Sequence, residues 1–137
     1  MDKNKPPQPG DVVMVVWPND PGKKVRRGLV LATTRRSDGY LVTLCYGTSQ
    51  HLVDEEMRPG EFRVSPDEDG VSTFQATGLD FPVKFSLTKI CTLPFTDQWF
   101  KVPRDHPFGD TPKVGHFSDS MYDKVRLAMR EIKPARR

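Results

Sequence analysis

The sequence has no long apolar run and few cysteines or histidines, and each shortage excludes a class of protein. No stretch approaches the ~20 consecutive apolar residues of a membrane-spanning helix, so no membrane span is predicted. The first nine residues lack the apolar core of a secretory signal, which predicts a cytoplasmic location. The two cysteines and three histidines are scattered without a CxxC pair. They suit no metal site, and no cofactor is predicted.

The net charge is also small, which limits the partners that electrostatics alone can attract. A chain of 137 residues corresponds to one domain. It holds 21 lysines and arginines, and removing the three in the basic tail at residues 133–137 leaves 18 basic against 18 acidic side chains. A neutral domain does not coat nucleic acid by bulk charge. Any anion-binding role therefore requires a local patch.

Hydrophobic periodicity and turn residues predict a mainly β fold. Strands are predicted at residues 11–17, 28–33, 40–46, 61–64 and 81–93. The segments 19–22 and 37–39 have the composition of a turn and a hairpin, and the acidic segment 66–70 that of another turn. The last strand alternates apolar and polar side chains, which places Lys84 and Ser86 on a face exposed to water. Cys45 and Cys91 lie in apolar strand segments and are predicted to be buried free thiols.

One helix is predicted, at the C-terminus, where Ser118 or Asp119 can cap it. Its apolar stripe consists of Met121, Val125, Ala128, Met129 and Ile132. Residues 95–116 are rich in proline and predict irregular coil with at most one helical turn. Since no helix separates the early strands, we expect a strongly bent antiparallel sheet or small open barrel with a C-terminal helix.

The predicted domain therefore covers residues 10–132. A flexible, proline-rich tail at residues 1–9 precedes it, and the basic tail at residues 133–137 follows it. A proline-rich insert occupies residues 94–117 of the domain.

Basic residues gather around the second predicted strand. Between residues 23 and 36 there are six basic side chains and no acid. A solvated loop and a hairpin tip would explain this pattern. The alternative is that these side chains flank a phosphate backbone, while Trp17 and Tyr46 stack on bases.

Arg27 is the basic residue with the clearest predicted position. It stands with Arg26 directly before the second strand, where rigid backbone would hold a planar fork of charged donors. Antiparallel pairing brings the end of the third strand beside it, so we expect Arg27 and Thr48 to face each other. Thr48 and Ser49 opposite an arginine suit a phosphate or an oxyanion. A Gly-Thr-Ser turn that satisfies its own backbone is the other interpretation.

Together these motifs resemble the MazF/PemK family of toxins, whose superfamily also includes CcdB-like and Kid-like toxins. The likeness runs through residues 10–93 and, more loosely, the helix at 118–132. It consists of a Gly-Asp-Val-Val strand, an arginine opening a Leu-Val-Leu strand, a strand ending in Thr-Ser and a late strand ending in Cys-Thr-Leu. The resemblance implies an SH3-like β-barrel with a helix, often a homodimer. It also implies metal-independent cleavage of single-stranded RNA through the ribose 2′-hydroxyl, and neutralisation by an antitoxin protein.

The resemblance assigns roles by position. Arg27 matches the arginine at the scissile phosphate, and Thr48 with Ser49 matches the hydroxyl pair beside it. Fixed donors there stabilise the charge that develops on the phosphate oxygens, and a guanidinium acts electrostatically or as a proton donor rather than as a base. The predicted RNA contacts are Trp17, Lys24, Arg26, Tyr46 and His51. The family's Arg-Pro step is Arg27-Gly28 here, and Thr88 stands where the family has an acidic residue.

The missing acid leaves alternatives open. His51, near Thr48, can supply a titratable group or can be a solvated loop histidine. A barrel whose active groups have decayed would bind nucleic acid without turnover or inhibit a host protein, as CcdB-like toxins bind a topoisomerase. The insert at residues 94–117 has no counterpart in compact members of the family, and we expect it to cover the groove or a dimer face.

Overall fold

The computed structural model describes residues 1–132 and confirms a mainly β fold with a C-terminal helix. The strands are β1 (Asp11–Val16), β2 (Val25–Arg36), β3 (Gly39–Thr48), β4 (Glu61–Val64), β5 (Val83–Pro94) and β6 (Lys113–His116). The helices are α1 (Pro66–Asp69), α2 (Val71–Ala76) and α3 (Asp119–Ile132), and a 3-10 turn spans Asp54–Glu56. The basic tail predicted at residues 133–137 lies outside the described residues.

The six strands form one antiparallel sheet in the order β4-β5-β3-β2-β1-β6. β1, β2 and β3 follow each other as a meander, as the turn residues predicted. β5 then pairs with β3, and β6 pairs with β1 on the other side. The sheet is not closed, because β4 and β6 are its two edges.

β2 is longer than its sequence indicated. The prediction that Arg26 and Arg27 precede the strand is wrong, because β2 begins at Val25 and Arg27 pairs with Met14 of β1. Pairing with the apolar β1 extends the strand into a polar segment that has little strand preference of its own. The backbone of Arg27 is therefore fixed by a β-ladder.

Successive side chains of β1, β2 and β3 point to two hydrophobic clusters, one on each face of the sheet. The α3-side cluster includes Val12, Leu29, Cys45, Phe62, Phe74, Phe85, Phe117, Met121, Val125 and Ala128. The insert-side cluster includes Val13, Val15, Val30, Leu44, Leu93, Phe95 and Phe100. Burial on both faces explains why β1 is a continuous apolar run rather than an alternating one.

The first half of β5 is buried on both faces, so the predicted exposure of Lys84 and Ser86 is wrong. Both side chains are buried because β4 pairs alongside them. The Lys84 Nζ lies 2.9 Å from a carboxylate oxygen of Glu61 and donates to the backbone carbonyl of Glu56 at 3.1 Å. These partners compensate the burial of the ammonium group.

Two short helices replace the acidic turn that was predicted at residues 66–70. Ser65 caps α1, because its Oγ accepts a hydrogen bond from the backbone N–H of Glu68 at 3.2 Å. Gly70, with φ +87°, then joins α1 to α2. The sequence Ser65-Pro66-x-Glu68 has the serine, proline and glutamate that are typical of a helix N-terminus, and this pattern could have predicted α1.

The prediction of irregular coil throughout residues 95–116 is wrong, because residues 113–116 of the insert form β6. It covers the insert-side face of the sheet, where the backbone N–H of Val16 donates to the carbonyl of Trp99 at 2.7 Å. Phe100 pairs with Val15 in an isolated bridge and is 1% exposed. The insert thus supplies the second layer of the core.

The N-terminal segment also packs against the rest of the domain. Thr33 donates its hydroxyl hydrogen to the carbonyl of Pro7 at 2.6 Å, and the Met1 amino group lies 3.0 Å from Asp110.

Ser118 caps α3, because its hydroxyl oxygen accepts a hydrogen bond from the backbone N–H of Met121. Met129, predicted on the apolar stripe, is 40% exposed. Within residues 1–132, α3 is the longest helix, and neither it nor α1 or α2 has the length and apolarity to cross a bilayer.

Candidate functional site

An open pocket, here called the Arg27 pocket, lies where the start of β2 meets the end of β3. It has a volume of about 130 Å³ and is lined by residues 25–27, 47–49, 79–81 and Val83. The three predicted catalytic residues, Arg27, Thr48 and Ser49, therefore share one pocket. Besides the start of β2 and the end of β3, the lining includes the loop between α2 and β5, which the sequence motifs did not connect with the site.

Gly47 allows the two strands to approach closely beneath the pocket. A Cβ atom at Gly47 would lie 2.8 Å from the carbonyl oxygen of Arg27 and 2.7 Å from Cε1 of Phe85. Any larger residue would therefore push β3 away from Arg27 or from the aromatic core. Packing thus requires the glycine that precedes Thr48.

Arg27 is held at its strand and reaches the pocket through its guanidinium. Its side chain is 27% exposed, and Nη2 lies 3.6 Å from Oδ2 of Asp80. The Nε atom is buried and has no hydrogen-bond acceptor among residues 1–132. The guanidinium is thus enclosed on one edge and loosely paired on the other, because 3.6 Å exceeds the length of a normal hydrogen bond.

Asp80 lines the pocket although no sequence motif pointed to it. Among residues 1–132 it is the only carboxylate in the lining, and its side chain is 79% exposed. Thr88, which stands at the family's acidic position, is exposed, hydrogen-bonded to Ser86 and absent from the lining. No local pattern marks Asp80, because α2 and the loop after it bring it to Arg27 from more than 50 positions away.

Thr48 and Ser49 present two hydroxyls to the pocket. The Oγ1 of Thr48 accepts a hydrogen bond from the backbone N–H of Gln50 at 3.2 Å, as the turn interpretation expected. A hydroxyl that accepts in this way still carries its own hydrogen and can donate it. Ser49 is exposed. Both residues are therefore suited to bind an anion beside Arg27.

Three of the predicted RNA contacts are charged or titratable side chains that point elsewhere. Arg26 contributes to the lining, but its Nε donates to Asp20 at 3.0 Å, and this hydrogen bond holds the pKa of Asp20 below its ordinary value. Lys24 is exposed outside the pocket. His51 is also outside it, with Nδ1 3.1 Å from a carboxylate oxygen of Glu56. The structure does not bring these groups together at Arg27.

The two aromatic residues predicted to stack on bases pack against each other instead. Trp17 and Tyr46 meet edge to face with 5.3 Å between ring centroids, and the Lys89 Nζ lies 5.5 Å from the Tyr46 centroid. Neither aromatic lines the Arg27 pocket. The aromatic side chain that does is Phe81, which is 52% exposed.

Neither cysteine lines the Arg27 pocket. Both are free: Cys45 is buried as predicted, whereas Cys91 is only half-buried. Burial raises the pKa of the Cys45 thiol to about 12 and that of Cys91 to about 11, so neither is a ready nucleophile at neutral pH. Within residues 1–132, no three histidine, cysteine or acidic side chains are grouped as they would need to be to hold a metal ion.

No protein-family model matches the chain, and no curated protein matches it. The likeness to the MazF/PemK toxins therefore rests on the sequence motifs alone.

Proposed function

We propose that the protein is a toxin-like endoribonuclease that cleaves single-stranded RNA without a metal ion. The observation that carries this proposal is the composition of the Arg27 pocket. A fixed guanidinium, the hydroxyls of Thr48 and Ser49 and the carboxylate of Asp80 line one open cavity. These are the groups that a phosphodiester needs for attack by its own 2′-hydroxyl.

Each group has a role in the proposed reaction. Asp80 accepts the proton of the 2′-hydroxyl, whose oxygen attacks phosphorus while the bond from phosphorus to the 5′-oxygen breaks. The leaving oxygen takes a proton from Arg27 or from water, and the products are a 2′,3′-cyclic phosphate and a 5′-hydroxyl. Arg27 and the two hydroxyls stabilise the charge on the phosphate oxygens. The 3.6 Å separation and the exposure of Asp80 leave both groups accessible to a phosphate.

The SH3-like barrel is part of the same proposal. The six-stranded sheet has its two edges at β4 and β6, yet the segment that leads from α2 to β5 packs on β6. A Cβ atom at Gly78 would overlap the carbonyl oxygen of Val114, and one at Gly115 would overlap the backbone of Thr77. Such close backbone contact supports a strongly bent sheet of the SH3-like kind.

The test is incubation of pure protein with single-stranded RNA in the presence of EDTA. Arg27→Ala should slow cleavage by about 100-fold or more, the usual effect of removing one transition-state donor. Arg104→Ala is the matched control, because it removes the same charge from an exposed turn outside the pocket and should keep the wild-type rate. Equal rates for the two variants would overturn the assignment of Arg27.

A binding module without turnover is the second candidate. It is favoured by the hydrogen bond from Gln50 to Thr48, which gives that hydroxyl a structural role. In the same assay, intact RNA with retained affinity would identify such a module. If the wild-type protein neither cleaves nor binds the RNA, an inhibitor of a host protein would be favoured. An antitoxin partner and a homodimer remain predictions of the resemblance, and a cytoplasmic location remains a prediction from the N-terminal sequence.

A further inference from the structure

We infer that the Arg27 pocket contains a nucleobase subsite, in which Phe81 is the stacking platform and Val25 an apolar neighbour. The inference deepens the proposed function and rests on it only in taking single-stranded RNA as the ligand. It assigns base binding to a residue that carried no signal in the sequence. Trp17 and Tyr46, the aromatic residues expected there, lie outside the pocket.

Two apolar side chains in the lining of the pocket are exposed. Phe81 is 52% exposed and Val25 is 40% exposed, and both line the same cavity as Arg27. Phe81 thus offers an exposed aromatic surface in a cavity that also contains a fixed cation, whereas the ring of Phe108 lies under the Lys113 ammonium group outside that cavity. The lining of the pocket therefore combines exposed apolar side chains with Arg27, Thr48 and Ser49.

The loop that carries Phe81 is anchored at both ends. Leu79 and Val83 are 6% and 4% exposed and belong to the α3-side cluster. Pro82 restricts the backbone directly after Phe81. The N–H of Leu79 donates to the hydroxyl of Thr77, which is fully buried. A backbone held in this way loses little conformational freedom when a ligand binds to the Phe81 ring, as a stacking platform requires.

The apolar and the polar lining residues together indicate the chemical class of the ligand. A nucleotide joins a planar base, which can stack on an aromatic ring, to an anionic phosphate, which can bind a guanidinium and two hydroxyls. The base must be free to leave its neighbours in order to reach Phe81. A single strand meets this condition, whereas a duplex keeps its bases stacked and paired.

The test compares two fluorescent oligomers that cannot be cleaved. One is a 2′-O-methyl oligonucleotide, and the other is an abasic oligomer with the same number of phosphates. Wild type should bind the base-bearing oligomer about tenfold more tightly, within the range for one stacked base. Phe81→Ala should lose this preference while it retains the affinity for the abasic oligomer. Phe81→Trp should retain the preference.

Phe108→Ala is the matched control. Phe108 is 46% exposed, lies under the Lys113 ammonium group and does not line the pocket, so its removal should leave both affinities unchanged. Equal losses of affinity for both oligomers in Phe81→Ala, or no loss, would overturn the subsite. So would the absence of any base preference in the wild type.

Two further outcomes separate this inference from the proposed function. If RNA stays intact but the base preference depends on Phe81, the nuclease assignment fails and the subsite stands. If Phe81→Ala converts a dimer to a monomer in sedimentation and leaves oligomer affinity unchanged, a second copy of the chain covers Phe81 and the subsite is wrong.

Discussion

At the residue scale, the proposed chemistry depends on the Asp80 carboxylate. Asp80→Asn removes the proton acceptor and should reduce RNA cleavage by about 100-fold or more, the effect of losing a general base. Affinity for an uncleavable oligonucleotide should be kept or improved, because a negative charge 3.6 Å from Arg27 is lost. Single-turnover rates and fluorescence anisotropy measure the two effects separately.

The control for this variant is Asp38→Asn, which removes the same charge from the exposed hairpin between β2 and β3. It lies at the other end of β2 from Arg27 and should leave both quantities at their wild-type values. Cleavage by Asp80→Asn at the wild-type rate would show that another group, or water, accepts the proton.

Gly47 is the second residue on which the pocket depends. Gly47→Ala should destabilise the protein by about 1–3 kcal/mol, the usual cost of overpacking, because the new Cβ meets Phe85 and the Arg27 carbonyl. Urea unfolding measures this change. Gly22→Ala in the exposed turn after β1 is the control, since its Cβ would meet only ordinary contacts at 3.5 Å or more. Similar stabilities for both variants would contradict the close approach of β2 and β3.

At the element scale, β4 and β5 are joined by the ion pair of Glu61 and Lys84, which is about nine-tenths buried. Burial is the largest single effect and raises the pKa of Glu61, but the hydrogen bonds from Lys84 and from the backbone N–H of Arg58, together with the positive charges of Lys84 and Lys89, outweigh it and hold the pKa of the carboxyl below its ordinary value. The stability that this pair contributes is therefore present above the unfolded pKa of about 4.3 and is lost as the pH falls through the lower folded value.

Glu61→Gln should consequently cost about 2 kcal/mol of unfolding free energy at pH 7, the scale of one charged hydrogen bond, and less at pH 3. Urea unfolding at a series of pH values gives this difference. Glu55→Gln, in the exposed 3-10 turn, should match wild type throughout. A deficit in Glu61→Gln that is independent of pH would show that packing, not ionisation, is responsible.

The elements also show why some strands were easier to predict than others. β4 was predicted with its observed bounds, and β1 to within one residue, because their β-branched and apolar residues favour strands locally. The burial of Lys84 on β5 was not predictable from alternation. It depends on Glu61 of the neighbouring strand β4 and on Glu56 of the 3-10 turn, which contact the Lys84 ammonium group, and these contacts have no local signature.

At the scale of the whole molecule, the insert is a structural layer rather than a cover for the groove. None of its residues lines the Arg27 pocket. Phe95, Trp99 and Phe100 pack on the insert-side face of the sheet instead. The expectation that the insert covers the groove is therefore wrong, and its role at a dimer face remains a prediction.

Phe100→Ala should therefore destabilise the whole domain by about 3–5 kcal/mol, the cost of removing a buried aromatic ring. Thermal and urea unfolding measure this loss. Phe108→Ala, at a half-exposed position of the same insert, should cost much less. A small effect of Phe100→Ala would mean that the sheet is stable without its second layer.

The sequence by itself determined the antiparallel meander, the C-terminal helix and the presence of Arg27, Thr48 and Ser49 in one pocket. Turn chemistry and side-chain period act between neighbours, and a hairpin brings its own strand ends together. Only the tertiary structure decided that Asp80 and Phe81 complete the pocket and that Trp17 and Tyr46 do not. Those positions follow from packing between distant segments, such as Gly78 against β6, whose energy no short stretch of sequence contains.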